Sequence, residues 1–311
     1  MSILFAGTPE NAAQTLDALV SSGVRVSVVL TREDAPVGRK RVVTPSPVAQ
    51  VAERLSIPII KSNRIDGLVI DEIRKYKPDL AVVVAFGALL KDDALNAITG
   101  GWYNLHYSLL PRWRGAAPVQ WSIFQGDKET GVSVFKIDEG LDTGALVLQV
   151  PTTIESGENA TRLLARLTEI GITALLEVIP QLLAGIHNLK PQSENGVTLA
   201  PKPTRQDAFV DFHQDAATTE QNINGMNDEP GSWTLFNDEP LKLVSVATSH
   251  IHVELGLGEV RLVDGAVLVG CKNSVLRILE VQPAGKNRMA AVDWFRGLKS
   301  EEVRLGADVQ R

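Results

Sequence analysis

Asn104, His106 and Asp142 are the side chains in this sequence whose types could do chemistry together. The first two belong to Asn104-Leu105-His106-Tyr107-Ser108-Leu109-Leu110-Pro111-Arg112-Trp113-Arg114-Gly115-Ala116-Ala117-Pro118, which crowds an amide, an imidazole, a hydroxyl and two guanidiniums into one short stretch. Each buried polar group needs its own partner, so a stretch like this reads as a site rather than as core. Side chains two apart on an extended chain point the same way, which puts the Asn104 amide and the His106 imidazole on one face. Asp142 sits in the acidic turn Asp138-Glu139-Gly140-Leu141-Asp142-Thr143-Gly144, after a later strand-like run, where it could lie opposite them. A carboxylate beside an imidazole is expected to raise the imidazole pKa and keep it protonated, making it an oxyanion stabiliser as well as a base. A donor pair with a carboxylate suits attack of an amine on an acyl carbon, where an oxyanion develops and a proton must leave nitrogen. The residues alone therefore point to acyl or one-carbon transfer.

Plainer readings stand beside this one. His106 by itself also fits a satisfied structural histidine, and Asp142 before Thr143-Gly144 fits an ordinary turn residue. A Ser-His-Asp hydrolase drawn from Ser108, His106 and Asp142 lacks the G-x-S-x-G elbow, and Ser108 lies too near His106 in an extended loop. A zinc site fails for want of clustered ligands.

The elements that must position these residues follow from periodicity. Residues 2–6 form an apolar strand, Thr8 is placed to cap a helix with Pro9 at its first position, and Ala12, Leu16, Leu19 and Val20 recur on one face up to Gly23. Residues 24–30 are a nearly continuous apolar run of the kind buried on both faces of a parallel sheet. Further strands are expected at 57–60, 80–85, 131–137 and 145–150, with helices opening at Ser46-Pro47, spanning 65–76 and 115–124, and running from 157 to 185 with a kink or restart at Pro180. Alternating strands and helices imply a doubly wound α/β sheet, whose ligands bind beyond the carboxyl ends of its strands. Both Phe86-Gly87 and the Asn104 stretch lie just past such ends. There is no G-x-G-x-x-G, so a dinucleotide role is weakly supported.

Residues 31–45 read as polar, basic and structureless, long for a connection of this type and therefore functional or disordered. Residues 187–204 hold three prolines and no periodicity, and read as an interdomain linker. Beyond them the texture changes to a helix over 215–226 and short strands at 242–247, 266–271 and 275–281, which suggests a small β-barrel. The expected organisation is a catalytic domain over 1–187, a linker over 188–204 and a second domain over 205–311.

At 311 residues with 44% hydrophobic and 22% charged side chains, the composition is that of a soluble globular protein of about two domains. Met1-Ser2-Ile3-Leu4-Phe5 leads straight into a strand without a basic n-region, no apolar run has membrane-spanning length, and the single Cys271 excludes an intramolecular disulfide and a thiolate cluster. A cytoplasmic protein is expected. The formal net charge of −6 argues against indiscriminate nucleic-acid binding but leaves room for a local basic stripe, with Arg32, Arg39, Lys40 and Arg41 in one loop as candidates and Lys286 among those near the end.

The run from Asn104 to Pro118 resembles the folate-dependent formyltransferases, as do Gly131-Val132-Ser133 and Gly140-Leu141-Asp142-Thr143-Gly144. The resemblance extends over the whole chain, through Phe5-Ala6-Gly7-Thr8-Pro9, Pro45-Ser46-Pro47, Ala85-Phe86-Gly87, Ala200-Pro201-Lys202, Pro230-Gly231-Ser232-Trp233-Thr234 and Gln282-Pro283-Ala284-Gly285-Lys286, and is nearest to the members that act on tRNA. It implies formyl transfer from 10-formyltetrahydrofolate to the amino group of methionine on initiator tRNA, without metal or covalent intermediate, by a monomer. It further implies a Rossmann-like N-terminal domain and a C-terminal OB-like β-barrel that contributes to tRNA binding. The family's catalytic Asn, His and Asp fall on Asn104, His106 and Asp142. Its folate contacts fall on Ser108, Leu109, Leu110 and Pro111, with Phe86, Gly87 and Leu89 walling the pterin pocket. Its tRNA contacts fall on Arg39, Lys40 and Arg41 of the basic loop, and on Lys202 and Lys286. Two segments depart from the family pattern. The loop's usual Gly-Arg-Gly-Lys-Lys is here Gly38-Arg39-Lys40-Arg41-Val42, and the usual Ile-Arg-Ala-Phe-x-Pro is Ile223-Asn224-Gly225-Met226-Asn227-Asp228, which loses a basic residue.

Overall fold

In the computed structural model, residues 1–38, 40–298 and 302–306 are described, and they form two compact units that interleave along the chain. One unit takes residues 1–118, 130–152 and 164–200; the other takes 119–129, 153–163 and 201 onward.

The first unit is built on a seven-stranded sheet. In chain order its elements are β1 (Ile3–Gly7), α1 (Glu10–Ser21), β2 (Val26–Thr31), β3 (Ala35–Val37), β4 (Val42–Thr44), α2 (Pro47–Arg54), β5 (Ile59–Lys61), α3 (Gly67–Lys75), β6 (Leu80–Val84), α4 (Asp92–Leu95), β7 (Trp102–His106), α5 (Pro118–Phe124), β8 (Glu129–Lys136), β9 (Leu146–Thr153) and α6 (Ala160–Leu183), the last few reaching across the division between units. The sheet order is β5-β2-β1-β6-β7-β8-β9. Strands β5, β2, β1, β6 and β7 are parallel, and β8 joins β7 antiparallel. The chain lays down β1, β2 and β5 on one side and then crosses to β6, so the order reverses between β1 and β6. That reversal opens the crevice beyond the strand ends. Every residue of β1 and of β6 is buried, the mark of central parallel strands covered on both faces.

Several local expectations are corrected. Pro9 is the N-cap of α1 rather than its first residue, and the Thr8 hydroxyl does not cap it; it donates to the Phe86 carbonyl at 3.3 Å and ties the β1 end to the β6 end. Ser46 does cap α2, accepting from Ala49 N–H at 3.0 Å with Pro47 following. Residues 31–45 are not structureless: β3 and β4 pair antiparallel, with Val37 opposite Val42 and both Gly38 and Arg41 at positive φ in the turn. The β-branched valines favour extended backbone and outweigh the charged composition of the loop. Residues 115–117 are not helical, because Ala117 N–H donates to Ala200 and Arg114 exchanges backbone bonds with residues 198 and 200, so α5 starts at Pro118. Helix α6 neither restarts nor ends at Pro180 but runs unbroken for 24 residues.

The second unit carries α7 (Ala216–Gly225), β10 (Trp233–Phe236), β11 (Glu239–Thr248), β12 (Glu259–Val263), β13 (Ala266–Gly270), β14 (Val275–Pro283), β15 (Met289–Ala290), α8 (Ala291–Arg296) and β16 (Val303–Arg304). The order β10-β11-β14-β13-β12-β16 is antiparallel throughout. Gly306 N–H donates to the Leu235 carbonyl at 3.0 Å, so the sheet is a nearly closed barrel. Its core gathers Leu241, Leu243, Val267, Leu276, Ile278 and Trp294 with Ile223 from α7. Among the described residues no helix is long and apolar enough to cross a membrane.

Gly7 sits where β1, α1 and β6 converge; a Cβ there would stand 2.8 Å from both the Ala12 Cβ and the Val84 carbonyl oxygen. Gly7→Ala is expected to lower stability by about 1–3 kcal/mol, read as a fall in the denaturant midpoint, since neither neighbour is a flexible side-chain end.

Candidate active site

A cavity of about 450 Å³ opens beyond the ends of β6 and β7 and is lined by Phe86, Gly87, Leu89, Asn104, His106 and Asp142 among others. Asn104 and His106 occupy alternate positions of β7, so the pleat presents both to the same cavity. The Asn104 carboxamide is half-buried and has no hydrogen-bond partner among the described residues, which leaves its N–H donors available to a ligand.

His106 is held from one side. Its Nε2 lies 2.8 Å from the Trp113 carbonyl. A carbonyl only accepts, so Nε2 carries the hydrogen and Nδ1 is the nitrogen left to gain or lose a proton. Nδ1 faces the Asp142 carboxylate at 3.8 Å, an ion-pair separation rather than a direct hydrogen bond. Against the expectation from the sequence, the His106 pKa is lowered, not raised. Burial is the main cause, since the ring is only 5% exposed; the Asp142 charge and the Trp113 hydrogen bond oppose it and are outweighed. The edge of the ring meets Phe135 in a T-shaped contact, part of the apolar wall that desolvates it.

Asp142 is set by its own turn. It adopts φ 52°, and its Oδ2 accepts the Gly115 N–H at 2.7 Å. Ala85 and Trp113 also have positive φ. Left-handed backbone is uncommon for residues with a Cβ; with Ala85 and Asp142 lining the cavity and Trp113 bonded to His106, the three mark a place where the fold over-determines local conformation. Within the acidic turn, Asp138 Oδ1 accepts from Gly140 N–H at 3.1 Å and from the Thr143 hydroxyl at 2.6 Å.

The predicted site residues divide into three groups. Asn104, His106, Asp142, Phe86, Gly87 and Leu89 are brought together, with Phe86 buried and Leu89 70% exposed at the mouth. Ser108, Leu109, Leu110 and Pro111 are not among the lining residues. They form a braced turn with a cis Leu110–Pro111 bond: the Ser108 hydroxyl donates to the Arg112 carbonyl, Ser133 links the Ser108 carbonyl to the Leu110 N–H, and Gln149 donates to the Leu110 carbonyl. Lys40 and Arg41 are exposed at the hairpin turn, whereas Arg39 lies outside the described residues. Lys202 and Lys286 are exposed on the second unit, Lys202 standing 3.8 Å from the equally exposed Glu229.

Other residues serve the site although their sequence surroundings do not mark them for it. Arg32, grouped by sequence with the basic loop, turns inward and donates to the carbonyls of Phe86 and Gly87, holding the wall of the cavity. Gln192 donates to the carbonyls of Asp142 and Gly144 at 2.7 and 2.8 Å. No local signal marks Gln192, which lies in an aperiodic polar stretch. Among the described residues no three His, Cys, Asp or Glu side chains gather into a metal site.

Comparison with known proteins gives one answer over both units. Residues 1–179 match the formyl transferase family and residues 202–299 the formyl transferase C-terminal domain family. The methionyl-tRNA formyltransferase of Paenarthrobacter aurescens is 44% identical over 303 residues, covering 97% of this chain and 98% of that protein. That of Renibacterium salmoninarum is 42% identical, covering 96% and 97%. In fold, the chain is similar to WlaRD, a sugar 3N-formyl transferase solved with dTDP and 5-N-formyl-tetrahydrofolate, with a TM-score of 0.69, 17% identity, and 92% of this chain and 99% of that one covered.

The lowered His106 pKa gives a signed prediction. Below about pH 6.5 the unfolded chain takes up a proton that the folded ring refuses, so this residue's contribution to stability falls as the pH drops through that value. By NMR, the His106 ring is expected to titrate below an unperturbed histidine, and Asp142→Asn should move it lower still by removing the charge that opposes burial. A midpoint that rises in Asp142→Asn would refute the description.

Proposed function

Because this chain belongs to the methionyl-tRNA formyltransferase family, we propose that it transfers the formyl group of 10-formyltetrahydrofolate to the free amino group of methionine on initiator methionyl-tRNA, giving N-formylmethionyl-tRNA for translation initiation. The observation that carries the mechanism is the Asn104 amide, without a partner among the described residues, beside a buried imidazole whose Nδ1 faces a carboxylate at 3.8 Å, in one cavity. A cavity of this volume, with Phe86, Leu89 and Leu141 as apolar walls and a few polar groups converging, suits a planar heterocycle with a polar reacting end.

When bound, the folate supplies an acyl carbon joined to a nitrogen leaving group. Asn104 donates to the formyl oxygen as negative charge develops there during addition of the amine. His106, neutral at pH 7 through burial, accepts on Nδ1 the proton that the attacking amine releases as its C–N bond forms. Asp142 stabilises the imidazolium so created, and the same proton goes to the departing folate nitrogen when the older C–N bond breaks. The steps use these three side chains alone. His106 thus serves first as base and then as acid, and Asn104 is the oxyanion donor.

The β3–β4 hairpin, with Lys40 and Arg41 exposed at its turn, contacts the tRNA backbone together with Arg39, and Lys202 and Lys286 add contacts from the C-terminal domain. Ser108–Pro111 shapes the folate pocket by bracing it. The chain works as a cytoplasmic monomer with a catalytic domain over 1–187, a linker over 188–204 and a barrel domain over 205–311.

The deciding assay incubates the protein and 10-formyltetrahydrofolate with either charged initiator tRNA or an amino-sugar nucleotide. Formyl product only on the methionyl-tRNA is expected; product only on the sugar would replace this reading. Asn104→Ala should reduce kcat about 100–1000-fold with the fold intact, and near-parental turnover would remove the oxyanion role. Replacing Arg39, Lys40 and Arg41 by Ala should weaken tRNA binding and flatten its dependence on log salt by somewhat under one unit for each phosphate no longer neutralised, while an unchanged slope would take the hairpin out of the interface.

A further inference from the structure

The residues between 190 and 200 carry more than a connection, and what they hold rests on the catalytic reading just given. We infer that this segment is the positioning element of the catalytic pair: Gln192 holds Asp142, and Thr198 holds the Trp113 backbone whose carbonyl orients His106.

The geometry supports each half. The Gln192 amide nitrogen donates to the Asp142 carbonyl at 2.7 Å and to the Gly144 carbonyl at 2.8 Å, gripping both sides of Thr143. Its orientation is not free, because Arg114 Nε and Nη2 both donate to Gln192 Oε1, at 3.1 and 2.6 Å. Arg can only donate, so the oxygen must face the guanidinium and the NH₂ must face the two carbonyls. Thr198 Oγ1 accepts the Trp113 N–H at 2.8 Å, and the Trp113 carbonyl is the group 2.8 Å from His106 Nε2. The segment is itself tied at each end. Lys190 and Leu146 exchange backbone hydrogen bonds at 2.7 and 2.9 Å, and Arg114 donates to the Thr198 carbonyl and accepts from Ala200 N–H. Gly196, at φ 82°, turns the chain between the two grips.

One segment thereby fixes both partners of a pair that makes no direct hydrogen bond. At 3.8 Å the interaction of His106 with Asp142 depends on distance and orientation set from outside. Asp142 and Trp113 both hold left-handed backbone, which persists only where surrounding contacts enforce it. Of the charged groups around the site, Asp142 faces His106, Asp138 is engaged by Gly140 and Thr143, and Arg114 is engaged by Gln192.

The test uses the full-length protein with Gln192→Leu, which keeps bulk and loses both donated hydrogen bonds, and with Thr198→Val set against Thr198→Ser, which loses or retains the hydroxyl. For Gln192→Leu and Thr198→Val, kcat should fall about 10–100-fold, with KM for both substrates within about twofold, as misplacement by a fraction of an ångström to an ångström would give. Thr198→Ser should recover most of the loss. In Gln192→Leu the His106 NMR titration should also move to lower pH, because the carboxylate is no longer held close. That titration needs no substrate, so it still decides the inference if the parent protein shows no formyl transfer. Parental kcat with an unshifted His106 titration in Gln192→Leu would overturn the inference, as would equal losses in Thr198→Ser and Thr198→Val. If Gln192→Leu fails to fold, the comparison of the two Thr198 variants decides it.

Discussion

The site depends on one constraint: an imidazole is buried with a carboxylate close by but not bonded to it. Burial lowers the His106 pKa against the pull of the nearby carboxylate, and Nε2 is spent on a backbone carbonyl. Nδ1 is then both unprotonated and electrostatically prepared to become cationic, because Asp142 waits at 3.8 Å. A closer carboxylate would hold a proton on the ring beforehand; a distant one would leave the imidazolium without compensation in a poorly solvated wall. The separation is what makes a base that can return its proton.

That separation is produced by backbone. Asp142 and Trp113 stand at opposite flanks of the imidazole, and each has a φ that a residue with a Cβ rarely adopts. Each such residue costs of order 1–3 kcal/mol unless its surroundings fix it. Here the surroundings are hydrogen bonds that Gly115 and Gln192 donate to Asp142 and one that Thr198 accepts from the Trp113 N–H. Gly115, at φ 120°, is itself a position where only glycine fits, since a Cβ would stand 2.8 Å from the Ala200 carbonyl oxygen. The sheet supplies the frame: the reversal of strand order between β1 and β6 opens a crevice, and the bond from Thr8 to Phe86 ties the ends of those two strands together. Arg32 shows how the same frame recruits a charge, for its guanidinium is turned onto the Phe86 and Gly87 carbonyls.

The protein carries a formal net charge of −6, yet the β3–β4 hairpin places cations at an exposed turn flanked by the exposed side chains of Val37, Val42 and Val43. On a short hairpin these valines keep the backbone extended on either side of the turn. Net charge says little about such a site; its distribution along the chain says more.

The alternation of strand and helix, the antiparallel second unit, and the pairing of Asn104 with His106 on one face were all legible in the sequence, because hydrophobic period and the pleat of a strand are local properties. So was the capping of α2 by Ser46, where one side chain reaches a backbone three residues away. Local rules failed where a distant group competed for the same atoms: Thr8 gave its hydroxyl to Phe86 instead of α1, and Ala200 took the backbone of residues 115–117 from α5. The protonation of His106 reversed for the same reason, since a charge partner can be guessed from residue types whereas desolvation depends on how much of the chain folds over the ring. Gln192 was invisible until folding brought it fifty residues back in sequence to Asp142. Sequence alone determined which groups could react; tertiary structure decided their separation, their protonation and what holds them there, because those are set by burial and by contacts that no spacing encodes.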